Sequence, residues 1–329
     1  MSRLRWHPLQ EEWVAVAAHR QVRPIALGGR TDTEPSCPFC PGGAEGLNGP
    51  YEFVTFENKF PSMSPSAPPG RTGKPGGLYR EAPGKGVCEV VLYSPRHDNT
   101  LADESREHIF KLVNVWTDRY RELGSRPYIK YVYIFENKGA VIGVTLLHPH
   151  GQIYAFPFIP PRVATELGAE RRYRLLHGKC LLCDLLRAEK RARVRLVAQG
   201  SSFTAYLPYF ARYPYEVHIV SNRHIGHLGE MTKREQWDLA GVLKTVLVKY
   251  DNLFGFSFPY IMLMKQSPTD GKKHPYHHFH IEFYPPHRSR DKIKYLAGCE
   301  SGAGTFINDT VAEEKAAELR RTRPITSFQ

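Results

Sequence analysis

The sequence predicts an α+β protein of two similar halves, each a mainly antiparallel sheet flanked by helices. Three observations carry this expectation. The succession strand, helix, strand, strand is read between residues 87 and 158, and strands and a helix recur in the same way between 202 and 285. A Cys-x-x-Cys pair opens each half, Cys37 and Cys40 in SCPFC, Cys180 and Cys183 in CLLC. An Arg-His turn followed by a His-rich strand also occurs twice, as VLYSPRHDNTL with HPHGQ and as HIVSNRHIGHL with HHFHIEF. The expected division is 1–175 and 176–329, in line with a soft prior of about 150 residues per domain.

Each element has a local reason. VCEVVLYS (87–94) is rich in β-branched residues and reads as a strand. Residues 105–124 place Ile109, Leu112, Val113, Trp116 and Tyr120 on one helical face. YIKYVYIFENKGA (128–140) and LLHPHGQIYAFPF (146–158) read as strands, and ATELGAERRYRLLH (164–177) as a helix. In the second half the strands fall at 202–208, 215–221, 260–266 and 277–285, with a helix at 233–254. Between residues 62 and 85 the chain is dense in Pro, Gly and Ser and has the composition of a loop.

Of the 329 residues 41% are hydrophobic and 24% charged, which excludes a disordered or fibrous chain. The net charge of +12 points to anionic partners. Its densest runs, RRYR (171–174) and KRARVR (190–195), lie beside helical patterns and read as solvated helix faces, so no nucleic-acid partner is expected. No apolar run approaches the ~20 residues that span a bilayer, so no membrane partner is expected either. The start, MSRLRWHPLQEEW, lacks the apolar core of a secretory signal, and a cytoplasmic location follows as the expectation.

A single Cys-x-x-Cys is a chance pair, a redox motif or half of a metal site. Two of them in register with repeated histidines favour metal. The sets are Cys37, Cys40, His97 and His148, and Cys180, Cys183, His224 and His278. Two thiolates and two imidazoles form a favourable tetrahedral Zn2+ set, and with all four positions filled by protein the ions are expected to be structural. Cys88 reads as a core residue, and nothing marks Cys299 as reactive.

HPHGQ (148–152) carries the chemistry. With His148 given to metal, His150 and Gln152 share the next positions on one strand face. A neutral imidazole is a competent nucleophile at phosphorus, and a covalent intermediate divides a hard transfer into two easier ones. Gly151 admits a phosphate close to the backbone. The Gln152 amide can donate to a phosphoryl oxygen as charge develops there. An isolated His-x-His on a strand is otherwise a packed histidine pair.

The segments FENKFP, YSPRH, FENKGAVIGVTLLHPHGQIYAFP and FHIEFYPP together resemble the galactose-1-phosphate uridylyltransferase family, in the transferase branch of the histidine-triad superfamily. The resemblance runs from about Arg5 to the C-terminus. It implies two tandem histidine-triad-like repeats, a homodimer, and ping-pong transfer of UMP between UDP-glucose and galactose-1-phosphate through a uridylyl-histidine at His150. It further implies that Asn58, Phe56 and Phe39 contact the nucleoside, and that Asn137 and Thr145 lie near the transferring phosphoryl. Arg23 is implied to reach phosphate, Lys294 the sugar phosphate and Glu300 a hexose hydroxyl. Gln152 stands where the hydrolases of the superfamily carry a third histidine, which fits a sugar-phosphate leaving group that needs little protonation.

The chain departs from the family at several positions. Some members bind iron through one Glu and three His. The matching positions here are Glu166, His280, Lys265 and Glu282, so no iron site is expected. Lys59 replaces an Asp beside the nucleoside-binding Asn, and SGAGTFIND after Glu300 lacks a glutamine that some members turn to the hexose. Two alternatives remain at this stage. One is a related nucleotidylyltransferase or phosphorylase acting on ADP-sugars or dinucleoside polyphosphates. The other is a zinc-stabilised nucleic-acid-binding module, which predicts basic residues clustered with aromatics on one face.

Overall fold

The computed structural model describes residues 2–22, 37–46, 48–49, 51–68 and 77–323. Its centre is a nine-stranded sheet. The strands are β3 (Val54–Glu57), β5 (Val87–Leu92), β6 (Tyr131–Lys138), β7 (His150–Phe156), β8 (Leu196–Gln199), β9 (Phe203–Tyr206), β10 (Val217–Ser221), β11 (Tyr260–Lys265) and β12 (His280–Tyr284). Their order is β3-β5-β7-β6-β11-β12-β10-β9-β8, and every neighbouring pair is antiparallel. Read outward from the β6–β11 seam, β6, β7, β5, β3 on one side match β11, β12, β10, β9 on the other. At the seam Glu136 faces Met262 and Asn137 faces Ile261.

Each half inserts one long helix between corresponding strands, α1 (Arg106–Gly124) and α4 (Lys233–Phe254). Ser105 caps α1 by accepting from the His108 N–H. Thr232 and Glu235 form a capping box on α4, and Arg223 holds the Glu235 carboxyl down at about 2. The two helices pack on each other and on one face of the sheet. The expected apolar face of α1 is buried in full, Ile109, Leu112, Val113 and Trp116 at 0% exposure, and it meets Leu243, Val246 and Met262 of the second half in one continuous core. Three further α-helices lie among the described residues, α2 (Pro161–His177), α3 (Leu181–Ala192) and α5 (Ala312–Arg321).

The differences from expectation have local causes. The strand expected over 146–158 begins only at His150, because Pro149 has no N–H to give the ladder, although its carbonyl accepts from the Tyr93 N–H at 3.1 Å. His148 therefore lies just ahead of the strand rather than on its face. An N-terminal sheet, β2-β1-β4, was not expected; it pairs β1 (Ser2–His7) with β2 (Glu12–Ala17) and β4 (Glu81–Pro83). Trp6 faces Trp13 across that hairpin, and the Arg80 guanidinium lies 4.6 Å from the Trp6 ring. The short strands β13 (His287–Ser289) and β14 (Lys292–Ile293) form a separate hairpin. Cys88 is fully buried, as expected of a core residue. Among the described residues no helix is long and apolar enough to cross a membrane.

Glu136 is buried at the seam and accepts from the Tyr260 hydroxyl at 3.0 Å. Burial pushes its carboxyl up to about 7. The folded protein therefore keeps this proton where the unfolded chain has released it, so stability falls as pH rises from about 4.5 to about 7 and is level above that. Glu136→Gln removes this contribution. Urea midpoints across that window should show the wild type losing up to about 3 kcal/mol relative to the variant. Parallel curves would refute it.

Candidate active site and metal centres

The first cluster gathers at one end of β5. Cys37 and Cys40 come from the segment before β3, His97 from the turn after β5, and His148 from the bend before β7. Their four ligand atoms all lie within 4.8 Å of one another, and all four residues are buried. Cys40 Sγ lies 3.4 Å from His97 Nδ1 and 3.6 Å from His148 Nδ1. A tetrahedral ion with thiolate and imidazole bonds of about 2.3 and 2.0 Å holds such atoms about 3.5 Å apart. The spacing fits a tetrahedral ligand set for one ion.

The second cluster repeats the plan. Cys180, Cys183, His224 and His278 again lie within 4.8 Å of one another. The Sγ–Nδ1 separations are 3.3 Å for Cys183 to His278, 3.6 Å for Cys183 to His224, and 3.7 Å for Cys180 to His278. Cys180 is also the N-cap of α3, accepting from the Cys183 N–H, so the positive end of the helix favours thiolate here. The hydrogen bond between the two thiols drops Cys183 to about 7 and raises Cys180.

In both clusters a backbone carbonyl fixes the histidine. His148 Nε2–H donates to the Ser94 carbonyl at 2.8 Å, and His278 Nε2–H to the Ser221 carbonyl at 2.9 Å. That assignment leaves each Nδ1 as the lone pair facing the thiols. Burial lowers the pKa of His148, which keeps its ring neutral and ready to ligate. Ser94 and Ser221 were missed in the sequence, although SPRH and SNRH occupy the same place in both halves. Tyr51 was missed too; its hydroxyl donates toward the carbonyls of Phe39 and Ser94, tying the cysteine loop to the end of β5.

His150 opens β7 beside the first cluster. Its Nδ1–H donates to the His148 carbonyl at 2.8 Å, so Nε2 is the nitrogen that carries the lone pair. The ring meets Phe39 edge to face at 5.2 Å, and Phe39 meets Phe56 at 5.8 Å. Phe39, Phe56 and His150 thus form one group. Gln152 follows on the same strand face, paired in register with Val90 and Phe135. A Cβ at Gly151 would run into the Tyr93 hydroxyl, which is why that position lacks one. Asn58 is tied to this sheet edge: its N–H donates to Cys88 and its side-chain oxygen accepts from the Phe60 N–H. Asn137 sits on β6, and Thr145 in the loop that leads to His148.

Lys294 and Glu300 are brought to each other. The Lys294 ammonium lies 2.7 Å from Glu300 Oε1, and this pairing holds the Glu300 carboxyl down at about 2. Arg23 lies outside the described residues.

In the second half His280 copies His150 down to the hydrogen bond, its Nδ1–H donating to the His278 carbonyl at 2.8 Å. It is nevertheless buried, and it lies 3.4 Å from Glu282. Lys265 Nζ sits 2.6 and 2.8 Å from the two oxygens of Glu166 and 3.7 Å from Glu282. An ammonium thus occupies the middle of the Glu166, Lys265, His280 and Glu282 group, and that set does not suit a divalent cation.

Two family models match the chain: galactose-1-phosphate uridyl transferase, N-terminal domain, over residues 1–160, and the C-terminal domain of the same family over 166–327. Galactose-1-phosphate uridylyltransferase of Thermotoga maritima is 44% identical, the match covering 98% of this chain and 99% of that protein. The Rattus norvegicus protein of the same name is 36% identical over 98% of this chain and 87% of its own. A solved uridylyltransferase superposes with a TM-score of 0.86 at 34% identity, covering 98% of both chains. An ADP-glucose phosphorylase from Arabidopsis thaliana, solved with bound ADP-glucose, gives 0.74 at 26% identity over 98% of this chain and 99% of that one. With both halves matched and these identities over nearly its whole length, the chain belongs to the galactose-1-phosphate uridyl transferase family.

Proposed function

We propose that this protein transfers UMP between UDP-glucose and galactose-1-phosphate through a covalent uridylyl-histidine at His150. The observation that carries the reading is the orientation of the His150 ring, Nδ1–H on the His148 carbonyl and the Nε2 lone pair presented at the start of β7. His150 Nε2 forms a bond to the α-phosphorus, and the bond from that phosphorus to the oxygen of glucose-1-phosphate breaks. The leaving group departs as an anion and needs no proton. Galactose-1-phosphate then attacks the same phosphorus and Nε2 leaves, restoring the ring. The positive charge on the intermediate ring is met by the His148 carbonyl at Nδ1. Gln152 donates to a phosphoryl oxygen, Asn137 and Thr145 flank it, and Phe39, Phe56 and Asn58 receive the nucleoside. Arg23 reaches phosphate, and the Lys294–Glu300 pair opens to take the phosphate and hydroxyls of the hexose.

Both clusters hold zinc in this reading, and a bound ion would fix the loops around His150 without activating water, since protein fills all four positions. Residues 1–175 form the catalytic domain and 176–329 its companion. The protein works as a cytoplasmic homodimer and binds neither nucleic acid nor membrane. The uridine assignment is favoured by the 44% identity to a uridylyltransferase against 26% to an ADP-glucose phosphorylase.

Intact-protein mass after mixing with UDP-glucose tests the intermediate. A uridylyl adduct should form on the wild type, discharge with galactose-1-phosphate, and be absent from His150→Gly, whose turnover should fall by on the order of 10^4 or more. An adduct from ADP-glucose but not UDP-glucose would replace uridylyl by adenylyl transfer. Gln152→Ala should keep forming the adduct with kcat lowered about 10^2- to 10^3-fold. Elemental analysis should find two zinc ions per chain, one of them lost in Cys37→Ser and the other in Cys183→Ser. Retention of both ions in either variant would refute its cluster.

A further inference from the structure

The loop between β11 and β12 borders an open cavity of about 840 Å³ that shares no lining residue with the His150 group. Four permanent cations line it, Arg121, Arg174, Lys272 and Lys273, against a single carboxylate, Glu230. The guanidinium of Arg121 donates to the Gly229 carbonyl at 2.8 Å and that of Arg174 to the Pro275 carbonyl at 2.9 Å, and both side chains turn to main-chain acceptors rather than to an acid among the described residues. Glu230 is already engaged, accepting from the Gly226 N–H and lying 3.4 Å from His227. Lys272 and Lys273 are exposed at the rim.

The wall holds a second clue. His277 lines the cavity and is 1% exposed. Its Nδ1 lies 3.0 Å from a Glu170 oxygen, while its Nε2 has no partner in the protein. A carboxylate oxygen only accepts, so Nδ1 carries a proton toward Glu170, and Nε2 is left as a buried polar atom in need of a partner. A ligand hydroxyl, which both donates and accepts, can partner that atom. The volume falls in the range of small-molecule sites. The doubled strand order also makes this loop the counterpart of the one between β6 and β7 that ends at His150.

We propose that the cavity is a second, non-catalytic site for a hydroxyl-bearing organic phosphate of sugar-phosphate size. Its phosphate is held by Lys272, Lys273 and Arg174, and one of its hydroxyls pairs with His277 Nε2. Calorimetric titration of the full chain with glucose-1-phosphate tests this. The double variant Lys272→Ala/Lys273→Ala should bind one molecule fewer per chain than the wild type, with turnover at saturating substrate unchanged. Because the comparison is a difference of one site, it holds whether or not the His150 site also takes this probe. Inorganic phosphate should bind the cavity at least tenfold more weakly. Equal stoichiometry in the two proteins would overturn the site, and inorganic phosphate binding there as tightly as glucose-1-phosphate would overturn the hydroxyl contact.

Discussion

A hydrogen bond between an imidazole and a main-chain carbonyl sets the chemistry on which the rest of this molecule depends. Because Ser94 offers its carbonyl at the end of β5, His148 turns Nε2 to the strand and Nδ1 to the thiols of Cys37 and Cys40. The carbonyl of His148 then receives His150 Nδ1–H in turn, which leaves the lone pair on the opposite nitrogen. Two rings two residues apart are thus given opposite jobs by main-chain acceptors alone. Any change that moves the end of β5 relative to the start of β7 would disturb both together. The continuous ladder of β3, β5, β7 and β6, backed by α1, resists such movement.

The second half keeps the same wiring with different consequences. His278 and His280 repeat the pattern of carbonyls, yet β12 lies deeper and its strand face carries Glu282 against Lys265 and His218. Ring orientation was retained while the surroundings became a buried ionic network. Orientation alone is therefore insufficient for phosphoryl chemistry; the ring must also be reachable, and His150 is only part-buried whereas His280 is buried, while Gly151 between His150 and Gln152 makes room for the Tyr93 hydroxyl.

Much of this was legible in the sequence because it rests on local chemistry. The α1 and α4 periods mark buried faces that the structure fills with one core, and the cysteine and histidine repeats name eight residues that the fold brings into two tight groups. What stayed hidden depends on partners remote in sequence. The N-terminal hairpin has no strong alternation, and its strands are set by a Trp6–Trp13 pair and by β4, about 78 residues away. The start of β7 was misjudged because Pro149 has no N–H to give the ladder. The Lys294–Glu300 pair could not be foreseen, since their spacing in a loop says nothing of a contact.

The seam between β6 and β11 has a consequence of its own. Lys138 faces Tyr260, and the register runs antiparallel to Phe135 opposite Leu263, so each half lends the other the partner its edge strand lacks. Two identical units meeting edge to edge about a two-fold axis would make this contact, each using the same strand. The nine-stranded sheet has the form of such a pair once a short connection has made it one chain. Severed there, neither half would keep a closed core, since Trp116 and Met262 are buried in the same cluster. Fusion freed the two copies to diverge, one keeping an open strand face and the other filling its own with charge.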